Sequence, residues 1–172
     1  QWYTAWQLSE GAMLYRDLSL AYGPLSSYFN AFLFKCFGTG MMVIVTANLL
    51  IYSLILTLVY FTFRTAWGKL GAFAASSVFI SVFSFSQLIR CGNFNFAAPY
   101  SHEILHGTLV ILITTMIAAR WCQEPCSKLA FLLGLGGGLA SVLKPEFMLA
   151  GGVLGIAALS LRRLRRLPIH FR

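Results

Sequence analysis

The chain has 172 residues, 58% of them hydrophobic and 10% charged, with a formal net charge of +8. A soluble domain carries about 25% charged residues, so this composition cannot clothe a water-facing surface, whereas lipid-facing helices can be built from it. The basic residues punctuate apolar runs instead of forming a surface stripe, which argues against a nucleic-acid partner and for membrane topology.

Residues 1–40 are amphipathic and rich in aromatics: Trp2, Tyr3, Trp6, Tyr15, Tyr22, Tyr28, Phe29, Phe32 and Phe34 lie among polar neighbours. Trp and Tyr favour the headgroup zone, where ring and polar tip both find partners. One or two short interfacial helices are expected here, broken at Gly23-Pro24. The chain opens at Gln1 with neither a basic n-region nor a cleavage site, and we expect it to be a piece of a longer protein.

The apolar run 41–63 carries no charge and is long enough to span a bilayer, which takes about 20 residues. Asn48 is its one strongly polar member and is expected to face other helices. Arg64 and Lys69 bound a short loop. A second span, 70–89, is rich in Ser and Ala, which suits close helix packing. A polar loop with Arg90, Asn93, Asn95 and Pro99 leads to a third span, 104–119, which could begin a turn earlier at His102. After the loop at 120–128 come two apolar runs, 129–143 and 147–161, separated by Lys144-Pro145-Glu146. Each is short for a full crossing, so a tight hairpin and one kinked segment both remain open. Two charges beside a proline are costly at mid-bilayer, which favours the hairpin.

Five crossings sort the charges. One side receives Arg64, Lys69, Arg120, Lys128 and the basic tail 162–172, against a single acid, Glu124. The other receives Arg16, Lys35, Arg90 and Lys144 with Glu10, Asp17, Glu103 and Glu146. The positive-inside rule places the first side, tail included, in the cytoplasm. The expected fold is therefore an all-α polytopic membrane bundle, with its amphipathic juxtamembrane helices and most acids outside.

Two constellations could carry chemistry. His102-Glu103-Ile104-Leu105-His106 fits H-E-x-x-H, which on a helix aims two imidazoles one way to hold zinc while the Glu activates water. An intramembrane zinc protease is thus one alternative, with Glu146 as its sole plausible third ligand. Cys122 and Cys126 stand in C-x3-C spacing with no second Cys/His pair at zinc-finger distance. The second constellation is the outward set of carboxylates and cations near apolar helix ends. Glycosyl transfer from a lipid phosphate needs a carboxylate to take the acceptor's proton, a cation for the leaving phosphate, and a greasy groove for the isoprenoid. A transporter or flippase-like bundle is the non-enzymatic alternative, since the interrupted 129–161 segment would suit a broken helix.

The second constellation also carries a resemblance. Glu10-Gly11, Tyr15-Arg16-Asp17, Tyr22-Gly23-Pro24-Leu25, Tyr28-Phe29-Asn30-Ala31 and Phe37-Gly38 resemble the first external loop of bacterial family-39-like glycosyltransferases of the GT-C type. These are relatives of protein O-mannosyltransferases and of the aminoarabinose transferase that modifies lipid A. Asn93-Phe94-Asn95-Phe96 with Pro99-Tyr100-Ser101-His102-Glu103 is similar to their second external loop, and Gly134 to Glu146 to their Gly-rich helix ending in Lys. The resemblance covers essentially the whole chain. It implies a GT-C-like bundle in the bacterial inner membrane with its site facing the periplasm. It implies a polyprenyl-phosphate sugar donor and a lipid, glycan or protein acceptor. Glu103 and Asp17 fall at its acidic, catalytic positions. Lys144, Arg16, Tyr22, His102 and Glu146 fall where donor and phosphate are bound. No metal ligand set is implied, and a divalent metal cofactor is left open. Two departures stand out. The family's first-loop base lies upstream of the Tyr-Arg-Asp segment, where this chain has no acid before Glu10. Tyr22-Gly23 also stands where some relatives carry Lys.

Overall fold

The computed structural model describes residues 2–85 and 95–166, with side chains through Leu164. Six α-helices account for most of these residues: α1 (Trp2–Ser9), α2 (Leu25–Phe37), α3 (Met41–Val78), α4 (His102–Gln123), α5 (Ser127–Ser141) and α6 (Pro145–Arg166). Among the described residues there is no strand beyond an isolated bridge between Leu14 and Leu18.

Three stretches are long and apolar enough to cross a membrane: Met41–Ser84, His102–Gln123 and Pro145–Leu164. The first doubles back on itself. Gly68, at φ 72° and ψ −169°, breaks α3 into arms 41–67 and 69–78, and six π-helical residues, Phe79–Ser84, extend the second arm. In an unbroken helix Tyr52 and Ser84 would stand ~48 Å apart. Here Ser84 Oγ donates to Tyr52 Oη at 2.9 Å, and the Tyr52 and Phe79 rings stack at 6.3 Å. The charge-bounded loop expected between the first two spans is therefore a correction. Arg64 sits on helix, because a charge near a helix end does not break the backbone, and the reversal is made at Gly68 alone. The second span is helical through Ser84. Its α-helix ends at Val78, where the ladder widens to π geometry, and 86–89 lie outside the described residues.

The helix α4 starts at His102, the earlier of the two expected starts. The segment 129–161 is a hairpin: a Cβ built on Gly151 would sit 3.5 Å from Gly137 Cα, an equal seven residues either side of Lys144. Pro145 opens α6, where its missing N–H costs nothing. At ~22 Å, α5 falls short of a ~30 Å hydrocarbon core, and α6 at ~33 Å does not.

The core is small and distributed. Tyr52, Ile55, Val59, Phe96 and Leu105 form one cluster between α3 and α4; Ala118, Trp121 and Ala158 form another between α4 and α6. Leu149, Val153, Ile156 and Leu164 of α6 remain exposed, as do Leu50, Leu70 and Phe73 of α3. Such an apolar exterior fits lipid as solvent. In lipid the core contacts count as packing and hydrogen bonding, without a hydrophobic drive between helices.

Candidate functional site

The buried polar side chains are not spread through the bundle. Ser26, Ser27 and Asn30 of α2, Asn48 of α3, Ser84, Ser101, and His102, Glu103 and His106 of α4 are all buried, and contacts join Ser26 to His106, Asn48 to His102 and Ser101 to Glu103 at one end. Thr114, which bonds its own helix at Val110, is the exception. This end also holds the turn between α5 and α6.

Glu103 has no exposure to solvent. It lies in the first turn of α4, where a carboxylate is favoured by the helix dipole. Ser101 Oγ donates to its Oε2 at 2.8 Å. Next to it, His102 Nδ1 lies 3.5 Å from Asn48 Nδ2, which also donates to the Ala97 carbonyl at 3.0 Å. Asn48 thus pins the segment before α4 onto α3. One turn on, His106 Nδ1 pairs with Ser26 Oγ at 2.8 Å, and Phe29 meets its ring edge-on at 5.0 Å. His106 Nε2, Asn30 Oδ1 and Ser27 Oγ are buried with no hydrogen-bond partner. The first loop is clamped to the α5–α6 turn by backbone bonds, Gly23 N–H to Leu143 O at 3.0 Å and Leu25 N–H to Val142 O at 3.4 Å. Only a residue without Cβ permits this approach, because a Cβ on Gly23 would fall 2.1 Å from Val142 O.

The clamp sets Tyr22 beneath Lys144, whose Nζ lies 4.8 Å from the ring centroid and 3.3 Å from Glu146 Oε1. The Lys144 side chain is 14% exposed, so its ammonium is largely withdrawn from water, while Glu146 is 65% exposed. Tyr15 Oη donates to the Tyr22 carbonyl at 3.1 Å. Tyr15 takes a positive φ of 65°, uncommon for a residue other than glycine.

Arg16 and Asp17 face solvent and engage each other through two bonds at 2.8 and 2.9 Å. Asp17 Oδ2 also accepts the Met13 N–H. The Arg16 guanidinium, helped by that amide, lowers the Asp17 carboxyl to about 2, and Asp17 in turn raises Arg16.

Of the expected site residues, the structure brings together His102 and Glu103, and separately Tyr22, Lys144 and Glu146, at the same end. Arg16 and Asp17 form their own surface pair. Arg90 lies outside the described residues. His106, Asn48 and Ser26 join the site through contacts that sequence spacing does not encode. The two imidazoles of the H-E-x-x-H segment are held by different helices, α3 and α2, and no group of three His, Cys, Asp or Glu side chains able to hold a metal occurs among the described residues.

A cleft of about 470 Å³ opens beside this polar end, lined by Trp2, Met41, Ile44, Pro99, Tyr100 and His102. The opposite end carries a further set of bases. Arg120 shares a cleft with Thr62 and Thr65, next to Arg64, and Arg162 covers the Trp121 ring at 4.5 Å.

Fold and site together define a class: an all-helical bundle with three stretches able to cross a membrane, a buried polar end and a basic end. Compared with family models, curated proteins and solved structures, the chain matches none.

Proposed function

We propose that the chain forms the donor-binding end of a membrane glycosyltransferase, which moves a sugar from a polyprenyl-phosphate donor to an acceptor at the extracytoplasmic face of the bacterial inner membrane. The observation that carries this reading is a fully buried carboxylate, Glu103, next to His102, whose side chain lines an otherwise apolar cleft. The cleft suits an isoprenoid chain. Lys144, shielded from water on Tyr22, suits the phosphate.

In the reaction the acceptor hydroxyl attacks the anomeric carbon, a new C–O bond forms, and the bond from that carbon to the phosphate oxygen breaks. Glu103 is the base that receives the acceptor's proton, by way of His102, the neighbour that lines the cleft, and Lys144 offsets the charge that develops on the polyprenyl phosphate as it leaves. A carboxylate held at about 2 is a weak base, so Asp17 serves better in fixing the 13–17 turn beside the donor. The basic end, by the positive-inside rule, faces the cytoplasm.

The test is sugar transfer in proteoliposomes with a radiolabelled polyprenyl-phosphate hexose. Glu103→Gln is expected to lower the rate about 10²–10⁴-fold, the usual worth of a general base. Full activity in that variant would remove Glu103 from the site. Stoichiometric zinc in the purified protein, lost in His106→Ala, would replace this reading with a metalloprotease.

A further inference from the structure

At the basic end, away from Glu103, two features run into each other. The first is a polar hollow of about 220 Å³ lined by Trp121, Pro125, Cys126, Ser127, Ala130 and Arg162. The second is a groove of about 450 Å³ between α5 and α6, which shares Trp121 and Ala130 with the hollow and continues past Gly134, Gly152 and Gly155 to Met148. From Leu159 to Met148 the groove follows α6 for ~16 Å. Its floor is open: a Cβ on Gly134, Gly137, Gly152 or Gly155 would meet nothing within 4 Å.

The mouth is cationic and uncompensated. Both ion pairs found among the described residues, Arg16–Asp17 and Lys144–Glu146, belong to the other end. Arg120, Lys128, Arg162 and Arg163 have none, and Glu124 is the lone acid nearby. Arg162 is spread over the Trp121 indole, which orients its guanidinium at the hollow, and its buried Nε lacks an acceptor. A planar guanidinium matches phosphate better than any other side chain does.

A polar, cationic mouth opening into an apolar groove has the shape and charge of one amphiphile. We propose that this is a binding site for an anionic glycerophospholipid, with its phosphate on Arg162 at the hollow and one acyl chain along the glycine groove. Charge complementarity selects the headgroup, and the ~16 Å groove matches one leaflet, about half of a ~30 Å hydrocarbon core, which is the reach of one acyl chain. The site stands on these residues alone and does not depend on the glycosyl-transfer reading.

The experiment is native mass spectrometry of the detergent-purified protein titrated with phosphatidylglycerol or phosphatidylcholine. Expected is one retained phosphatidylglycerol, bound about fivefold or more tightly than phosphatidylcholine. Arg162→Gln should abolish the preference. Gly155→Leu, which fills the groove while improving helix propensity, should weaken both lipids. Lys35→Gln, exposed in the last turn of α2 and outside both hollow and groove, should change affinity by less than about twofold. Circular dichroism verifies that each variant is folded. Equal binding of the two lipids by the wild type would overturn the proposal, as would wild-type affinity in both Arg162→Gln and Gly155→Leu. Displacement of the lipid by millimolar inorganic phosphate would also overturn it, by showing an ion site without a chain. A dimer that Gly155→Leu disrupts would assign the groove to a second copy's helix instead.

Discussion

Gly23→Ala is the sharpest test of how the first loop meets the bundle. The new Cβ would fall 2.1 Å from Val142 O and 2.4 Å from Val142 C, both backbone atoms that cannot swing aside as a side-chain tip can. Ordinary contact begins near 3.4 Å, so one strand of backbone must retreat by about 1 Å or more. That retreat breaks the 3.0 Å bond from Gly23 N–H to Leu143 O and further stretches the 3.4 Å bond from Leu25 N–H to Val142 O. Overpacking costs about 1–3 kcal/mol and a lost hydrogen bond about 1, giving a destabilisation of about 2–4 kcal/mol. The assay is unfolding by SDS titration in mixed micelles, followed by tryptophan fluorescence. Gly152→Ala is the control: its Cβ would meet nothing within 4 Å, and Ala is the better helix former, so stability should hold or rise by up to about 1 kcal/mol. If Gly23→Ala unfolds within about 0.5 kcal/mol of the wild type, the loop does not touch the α5–α6 turn and Lys144 is not held over Tyr22.

Gly68→Ala should destabilise the α3 hairpin by about 1–3 kcal/mol in the same titration, because φ 72° with ψ −169° is open essentially to glycine alone. Its Cβ would meet nothing within 4 Å, so the cost is torsional, and a larger loss would point to packing instead. Asn48→Leu should cost about 1–3 kcal/mol by leaving the Ala97 carbonyl without its side-chain donor, with faster amide exchange across 95–101 as the local signature. The Arg16–Asp17 pair supplies a pH dependence. The Asp17 carboxyl is lowered in the folded state, so its contribution is full above the ordinary value of 3.8 and fades as pH falls toward about 2. Proteolysis of the 10–24 loop should accelerate in that window, modestly since the pair is exposed, and Asp17→Asn should cleave at the acid rate already at pH 6.

The apolar helices are largely legible in sequence, because apolar run length is a local signal, although α6 opens at Pro145, two residues before the expected run at 147. The hairpin at 144 was legible for the same reason: a lysine and a glutamate flanking a proline are too costly to leave at mid-bilayer. The turn between the first two spans is not marked by the charges Arg64 and Lys69, because a charge does not break a helix, and only the backbone reveals that within α3 Gly68 alone takes a non-helical, positive-φ conformation. The π-helical turn at Phe79–Ser84 left no mark in composition. It depends on Tyr52, 32 residues away, to accept the Ser84 hydroxyl. Site partners were the hardest part. Ser26 reaches His106 across 80 residues and Asn48 reaches His102 across 54, and hydropathy periods say which face a residue occupies but not which polar group it meets there. Asn48 alone gave a signal, as the lone strongly polar residue of an apolar run.

Helix α4 links the two ends, and its register constrains both. It begins with His102 and Glu103 in the polar cluster and reaches Arg120 and Trp121 at the basic mouth, a rise of ~29 Å from His102 to Trp121 for a hydrocarbon core of ~30 Å. With both termini fixed, by Asn48 and Ser26 at one end and by the Trp121–Arg162 stack at the other, α4 has no freedom to slide. One residue inserted near Thr114 would turn the two halves by ~100° relative to each other, so that either Glu103 or Trp121 must leave its place. Gly136 sharpens the constraint, since a Cβ there would fall 2.2 Å from the Thr114 hydroxyl and α5 packs on α4 at that level. The depth of the polar end and of the basic mouth in a bilayer is therefore one quantity, set by the length of α4.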